Sequence, residues 1–263
     1  VPLPVTVKLP WTLFAAEFLG TAILIGVGLS FVILDFGAGS PISSLIPEPG
    51  LRRAITGFLF GSTGALVAVS PLGKESGAHI NPVVTLAFWI RGKIGSRHAF
   101  GYVLAQLAGG ITGALPLLLW GRIGESISYG ATFPGAGYSN WVAALGEAAA
   151  TFALVVLLFS FISHEKLRPF TPLLFPALYA FLVYLEAPVS GTSTNPARSL
   201  GPVVMSENWR AWWVYWIGPI AGAVIGVGAH RFSRLNRLEI KVAKLYHFEH
   251  DPYGVFAAWR NKR

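Results

Sequence analysis

The sequence predicts an all-α membrane protein: six transmembrane helices plus two re-entrant half-helices, arranged as an inverted repeat. Three observations carry this expectation. The chain of 263 residues is 53% hydrophobic and only 12% charged, whereas ordinary soluble domains carry about 25% charged residues. Apolar stretches of near-bilayer length recur along it. Two half-length apolar segments, each opened by Asn-Pro, interrupt the series at matching places.

The elements follow in order. Span 1 is Trp11–Leu34, with Glu17 as its internal charge, and span 2 is Ala54–Leu72. The first short segment is Pro82–Ile90. Asn81 suits an N-cap, and proline suits the first turn of a helix, where its missing N–H costs nothing. The segment reaches charge at Arg91, far short of the roughly 20 residues a crossing needs. Span 3 is Ala99–Trp120, span 4 is Trp141–Ser163 with Glu147 inside, and span 5 is Phe170–Ala187. A second short segment covers Pro196–Met205, and span 6 is Ala211–Arg231.

The order is two spans, one short segment and one span, and then the same again. Repeats of this kind should be sought first, and local details agree. "EFLGT" at Glu17–Thr21 and "EAAAT" at Glu147–Thr151 both read E-x-x-x-T. Three spans per half set the second half upside down relative to the first, as in many transport proteins. Residues 1–135 form the first half, 136–232 the second, and 233–263 a basic tail. Two short helices entering from opposite faces then meet tip to tip and together make one crossing. Their non-helical approaches are tolerable at membrane depth where protein buries them or water bathes them.

Charge sets the orientation. With six spans both termini share a side, and that side collects most of the lysine and arginine. The other side keeps Arg52, Arg53, Arg122, Arg198 and Arg210. The positive-inside rule places the termini in the cytoplasm, in a plasma or bacterial inner membrane. The net charge of +8 is thereby explained without a nucleic-acid partner. In the tail, Leu235, Leu238, Val242 and Leu245 share a helical stripe beside Arg234, Arg237, Lys241 and Lys244. This predicts an amphipathic helix on the inner leaflet, with a solvated tail as the alternative. Trp11, Trp120, Trp141, Trp209, Trp212 and Trp213 flank spans, as interfacial belts do.

Several function classes are excluded. Cysteine is absent, which removes disulfides, thiolate metal sites and thiol nucleophiles. No phosphate loop or metal-ligand cluster stands out, so no cofactor and no metal are expected. "SHEK" at Ser163–Lys166 groups a nucleophile, a base and an acid, but adjacency is not triad geometry. It reads as a connector, and an enzyme is not expected. The start "VPLPVTVKLP" lacks the basic opening and apolar core of a secretory signal.

Two Asn-Pro half-helices in inverted halves, each with its E-x-x-x-T, resemble the aquaporin (major intrinsic protein) family over about Trp11 to His230. "TNPARSLGP" matches the family motif fully. "SGAHINPVVTL" departs at Val83, where the family usually has alanine. The resemblance implies a passive channel for water, with small neutral solutes included, that excludes protons and ions and sits in the bilayer as a homotetramer. A glycerol-, urea- or ammonia-conducting facilitator is the alternative. It further implies that Asn81 and Asn195 face the pore at the positive ends of the half-helices. Arg198 belongs to the aromatic/arginine constriction, with Thr192, Val183 on span 5, and Phe58 on span 2. Gly61 is the alternative for span 2 by ungapped register. Val183 stands where strict water channels of the family usually have histidine, which predicts a wider, less polar mouth. Ser199, where glycerol facilitators usually carry aspartate, and the pair Tyr215-Trp216 point back to water. His79 is expected to offer its carbonyl to the pore, with pH sensing as the alternative. Glu186 is expected to order the second re-entrant loop or to face water. Glu17 and Glu147 are expected to brace the loops. If either instead changes protonation, the chain is a proton-coupled transporter.

Overall fold

The computed structural model describes residues 10–233 and 240–256. Six long helices and two half-helices form the bundle: α1 (Trp11–Phe36), α2 (Pro49–Val69), a short α3 (Pro71–Ser76), the half-helix α4 (Pro82–Ile90), α5 (Ser96–Ala114), α6 (Asn140–Ser163), α7 (Thr171–Ser190), the half-helix α8 (Pro196–Ser206) and α9 (Val214–Phe232). At about 1.5 Å per residue, α4 with 9 residues and α8 with 11 together span ~30 Å, one hydrocarbon thickness.

Boundaries shift where local chemistry dictates. α2 starts earlier than the hydrophobic pattern suggests, because Glu48 caps it through the N–H groups of Gly50 and Leu51. It stops at Ser70, whose extended backbone (ψ 171°) precedes Pro71. Proline disfavours helical geometry in the residue before it, so the predicted span 2 divides into α2 and α3. The predicted span 3 likewise changes to a 3-10 turn at Leu115–Trp120, which contains Pro116.

Among the described residues, four stretches are apolar and long enough to cross a membrane on length and composition alone: Trp11–Phe36, Ser96–Glu125, Asn140–Ser163 and Arg168–Ser190. α2 and α9 are long enough but diluted by glycine and by polar or basic residues near one end. Each is seated by a pair of glycines against one of the four. A Cβ on Gly57 or Gly61 of α2 would lie 2.2 or 2.4 Å from the carbonyl oxygens of Tyr179 and Phe175 on α7. One on Gly218 or Gly222 of α9 would lie 2.6 or 2.2 Å from those of Ala144 and Ala148 on α6. Gly109 and Gly113 of α5 sit in the same way on Phe18 and Ala22 of α1. Small residues four apart let helix backbones touch, which is the packing membranes favour when water no longer drives association.

The tail departs from its predicted helix. Residues 240–256 run through turns and bends, with Ile240, Ala243 and Leu245 buried in the bundle. The part of the predicted stripe at 234–239 lies outside the described residues. The inner-leaflet helix is therefore corrected for Val242 and Leu245: the apolar side chains here meet protein. Tyr253 hydrogen-bonds Thr12 at the start of α1 (2.8 Å), so residues 240–256 and the start of α1 share one face, called the termini side below.

Candidate functional site: a lumen between opposed half-helices

Both re-entrant approaches read Ser-Gly-x-x-x-Asn-Pro: Ser76 to Pro82 and Ser190 to Pro196. The two fold alike. Gly77 and Gly191 take φ values of 87° and 90°, and Ala78, Ile80, Thr192 and Thr194 also have positive φ. Non-glycine residues rarely adopt such backbone, so something must hold it. The holders are the two carboxylates. Glu17 accepts from Ser76 Oγ (2.6 Å), the His79 N–H (2.9 Å), the Ile80 N–H (2.7 Å) and Gln106 Nε2 (2.7 Å). Glu147 accepts from Ser190 Oγ (2.7 Å), the Ser193 N–H (2.6 Å) and the Thr194 N–H (2.7 Å). Both are 0% exposed. A buried carboxylate requires such donors. Tyr102 and Tyr215 complete the match by donating to the carbonyls of Ser76 and Ser190, each at 2.7 Å. Gln106 has no counterpart among the bonds of Glu147.

The half-helices meet at their capped ends. Asn81 Oδ1 accepts from the Val83 N–H (2.9 Å), and Asn195 Oδ1 from those of Ala197 (3.0 Å) and Arg198 (3.3 Å). Each Nδ2 then crosses to the opposite loop, Asn81 to the Thr194 carbonyl (2.9 Å) and Asn195 to the Ile80 carbonyl (3.0 Å). An amide nitrogen carries two hydrogens, so each asparagine retains one N–H beyond this reciprocal lock.

Two cavities lie along the lumen. The outer one, about 220 Å³, opens away from the termini and is lined among others by Arg53, Val183, Thr192 and Arg198. The central one, about 40 Å³, is lined by Asn81 and Asn195, His79, Val84 and Leu154. Phe60 and Tyr179 line both, so these two rings, 5.9 Å apart by centroid, mark the neck. The Arg198 guanidinium lies 6.0 Å from the Phe60 ring and donates to the Gly130 carbonyl at 2.7 Å. Ser199 joins the loops through Thr132 Oγ1 (2.8 Å) and Ser193 Oγ (2.6 Å). Thr192 donates its hydroxyl to Glu186.

Comparison with known proteins decides what this arrangement belongs to. The family model described as "Major intrinsic protein" matches residues 5–230. The chain belongs to the major intrinsic protein family. Among curated relatives, Aquaporin AqpM of Methanothermobacter marburgensis is 31% identical over 82% of this chain and 95% of its own length. A probable aquaporin of Oryza sativa subsp. japonica is 32% identical over 84% of this chain and 79% of its own length. The aquaglyceroporin from Plasmodium falciparum shares the fold, with a TM-score of 0.68 at 19% identity, over 87% of this chain and 98% of that one.

Within this major intrinsic protein, the predicted site residues fall as follows. Asn81, Asn195, Arg198, Thr192, Val183 and His79 all border the lumen. Phe58 does not. It is 51% exposed on the outside of the bundle, while Phe60 is 7% exposed and lines both cavities. Two positions on a helix differ by about 160° in direction, so the register was wrong by that step. Gly61, the alternative, touches the central cavity, but its role is the seat against Phe175. Tyr179 was missed, although it stands one turn from Val183 and thus on the same face. The Ser-Gly pairs were also missed, and their repetition ahead of each Asn-Pro was the available signal. Tyr215 packs against Ala143 and Ala144 and braces a loop instead of lining the lumen. His79 uses its ring as well as its backbone, bonding Thr85 Oγ1 (3.1 Å) and the Ala243 carbonyl (2.9 Å).

Proposed function

We propose that this major intrinsic protein conducts water passively and rejects protons and cations. The observation that carries the reading is the meeting of Asn81 and Asn195, each with an unspent N–H, just inside a neck formed by Phe60, Tyr179 and Arg198. A water oxygen accepting from both amides is turned so that its hydrogens point away from the centre. That breaks the chain of donors along which a proton would hop. The partial positive charge at two helix N-termini and the full charge of Arg198 add a barrier to cations. Val183 and Thr192 sit at the outer side of the neck, where Val183 presents an apolar wall.

Glu17 and Glu147 support a channel over a proton-coupled transporter. Each carboxylate is consumed by loop donors, and their full burial leaves neither facing the lumen. The termini side is read as cytoplasmic from the lysine and arginine bias, and the assembly as a homotetramer by family likeness. A second reading, conduction of small neutral polyols such as glycerol, draws on Val183 and on the roomy outer cavity. Osmotic shrinkage and swelling of proteoliposomes with water, glycerol and urea tests both readings. Water flux with little glycerol flux supports the first. Glycerol flux approaching that of water selects the second. Solute accumulation driven by a proton gradient overturns both.

A further inference from the structure

The tail does not merely rest on the termini side; it enters the mouth of the lumen. Leu245 is 3% exposed and lines the central cavity together with Asn81, Asn195 and His79. Its N–H donates to the Gly77 carbonyl at 3.0 Å. Gly77 opens the first re-entrant loop, so this bond takes an acceptor that would otherwise meet solvent at the mouth. Ala243 accepts from His79 Nε2, which fixes the ring with its hydrogen on that nitrogen. Thr85 can then donate to His79 Nδ1 while accepting from Gln106 Nε2 (2.9 Å). Lys244 sends its ammonium to the carbonyls of Lys74 (2.5 Å) and Glu75 (3.0 Å) at the end of α3. There the side chain satisfies carbonyls that a helix end leaves unpaired.

The segment is also folded back on itself. Asp251 accepts from the N–H groups of Val255 (3.0 Å) and Phe256 (3.1 Å). That turn buries Phe256, whose ring lies 4.7 Å from Lys244 Nζ. His247 Nε2 bonds the Val69 carbonyl at the end of α2 (3.1 Å), and His250 faces Glu75 at 3.4 Å. Contacts to α1, α2, α3 and the re-entrant loop thus converge on one short stretch. With Leu245 in its lining, the central cavity of about 40 Å³ has room for roughly one to three waters.

We propose that residues 240–256 are an autoinhibitory plug: the chain's own tail is the ligand of its termini-side mouth, Leu245 is the stopper, and conduction requires the tail to leave. The proposal rests on the channel reading above.

The test uses the full chain in proteoliposomes. Leu245→Ala removes the stopper and keeps every tail hydrogen bond. Removing about three buried carbons loosens docking by roughly tenfold or more, so water permeability should rise at least several-fold. A second variant, Glu75→Cys with His250→Cys, places two thiols in a chain that has none. A short bis-maleimide across them should hold the tail down and reduce water flux below that of the same protein before bridging. Equal, measurable flux in native chain and Leu245→Ala, unchanged by the bridge, overturns the plug and leaves the channel standing. No flux of water, glycerol or urea in any of these proteins, each shown to be folded by circular dichroism, overturns the channel reading and the plug with it.

Discussion

Replacing Phe60 with alanine should make the lumen passable to solutes larger than water, whereas Phe58→Ala should not. Phe60 shares the neck with Tyr179 and Arg198, at 5.9 and 6.0 Å, and separates the outer cavity from the central one. A glycerol molecule entering this neck has to force carbon groups into a packed aperture. Each forced group costs about 1–3 kcal/mol in a protein interior. At about 1.36 kcal/mol per tenfold in rate, relief of one such group raises glycerol flux roughly five- to 160-fold. Water already fits, so its flux should change much less. Phe58 is half exposed on the outside of the bundle, and its loss leaves the neck untouched. The assay is light scattering from proteoliposomes, first under a sucrose gradient for water and then under a glycerol gradient. It should be run in the native chain and with Leu245→Ala, so that the inner mouth does not limit the rate. An increase in the glycerol-to-water ratio with Phe58→Ala, and none with Phe60→Ala, refutes the assignment of the neck.

Glu17→Gln and Glu147→Gln should destabilise the protein by similar amounts. At Glu17 Oε1 an NH₂ meets the Ser76 hydroxyl, which can turn to accept, and the His79 N–H, which cannot; at Glu147 Oε2 it meets only the Thr194 N–H. At about 1.5–3 kcal/mol per charge-assisted bond each loses ~1.5–3 kcal/mol, and denaturation in detergent should show both; no loss in either would remove the carboxylates as loop braces. Arg198→Val should admit protons or small cations, since a unit charge at 4 Å contributes about 4 kcal/mol at an intermediate dielectric; a vesicle-trapped pH dye with no added leak would sink that assignment. Lys244 should make closure pH-dependent. Burial brings its pKa down to about 8 against the upward pull of Asp251 and Glu75, with His79 and the Phe256 ring as its other neighbours. The free tail, titrating near 10.4, binds more protons than the docked tail between the two values, so docking strengthens as pH rises through that window. Water flux should fall from pH 8 to about 10, and a flat profile in the native chain would remove Lys244 from the closing device.

Hydrophobic length and punctuation determined the architecture. Spans need apolar runs, half-helices need capped starts, and the paired Asn-Pro and E-x-x-x-T motifs located both loop tips and both braces. These features are local, and local chemistry is what a linear sequence displays. The direction of a side chain on a helix was harder, because it depends on what the helix packs against. The Phe58 register assumed an extended loop through "SPLGKE", whereas Pro71–Ser76 coil into α3, and the lumen-lining residue is Phe60 while Phe58 points outward. The neck partner Tyr179 shares the helical face of Val183, but its pairing with Phe60 was decided by tertiary structure. It took the seating of α2 on α7 at Gly57 and Gly61 to bring the two rings together. The tail shows the limit most clearly. Its leucine stripe and basic flank have the pattern of a lipid-facing helix, yet Leu245 lines a cavity and bonds the Gly77 carbonyl, and Lys244 finds those of Lys74 and Glu75. Those acceptors are open because one positive-φ loop and the end of α3 leave them unpaired. No property of the tail's own residues distinguishes burial in lipid from burial in the mouth of the lumen.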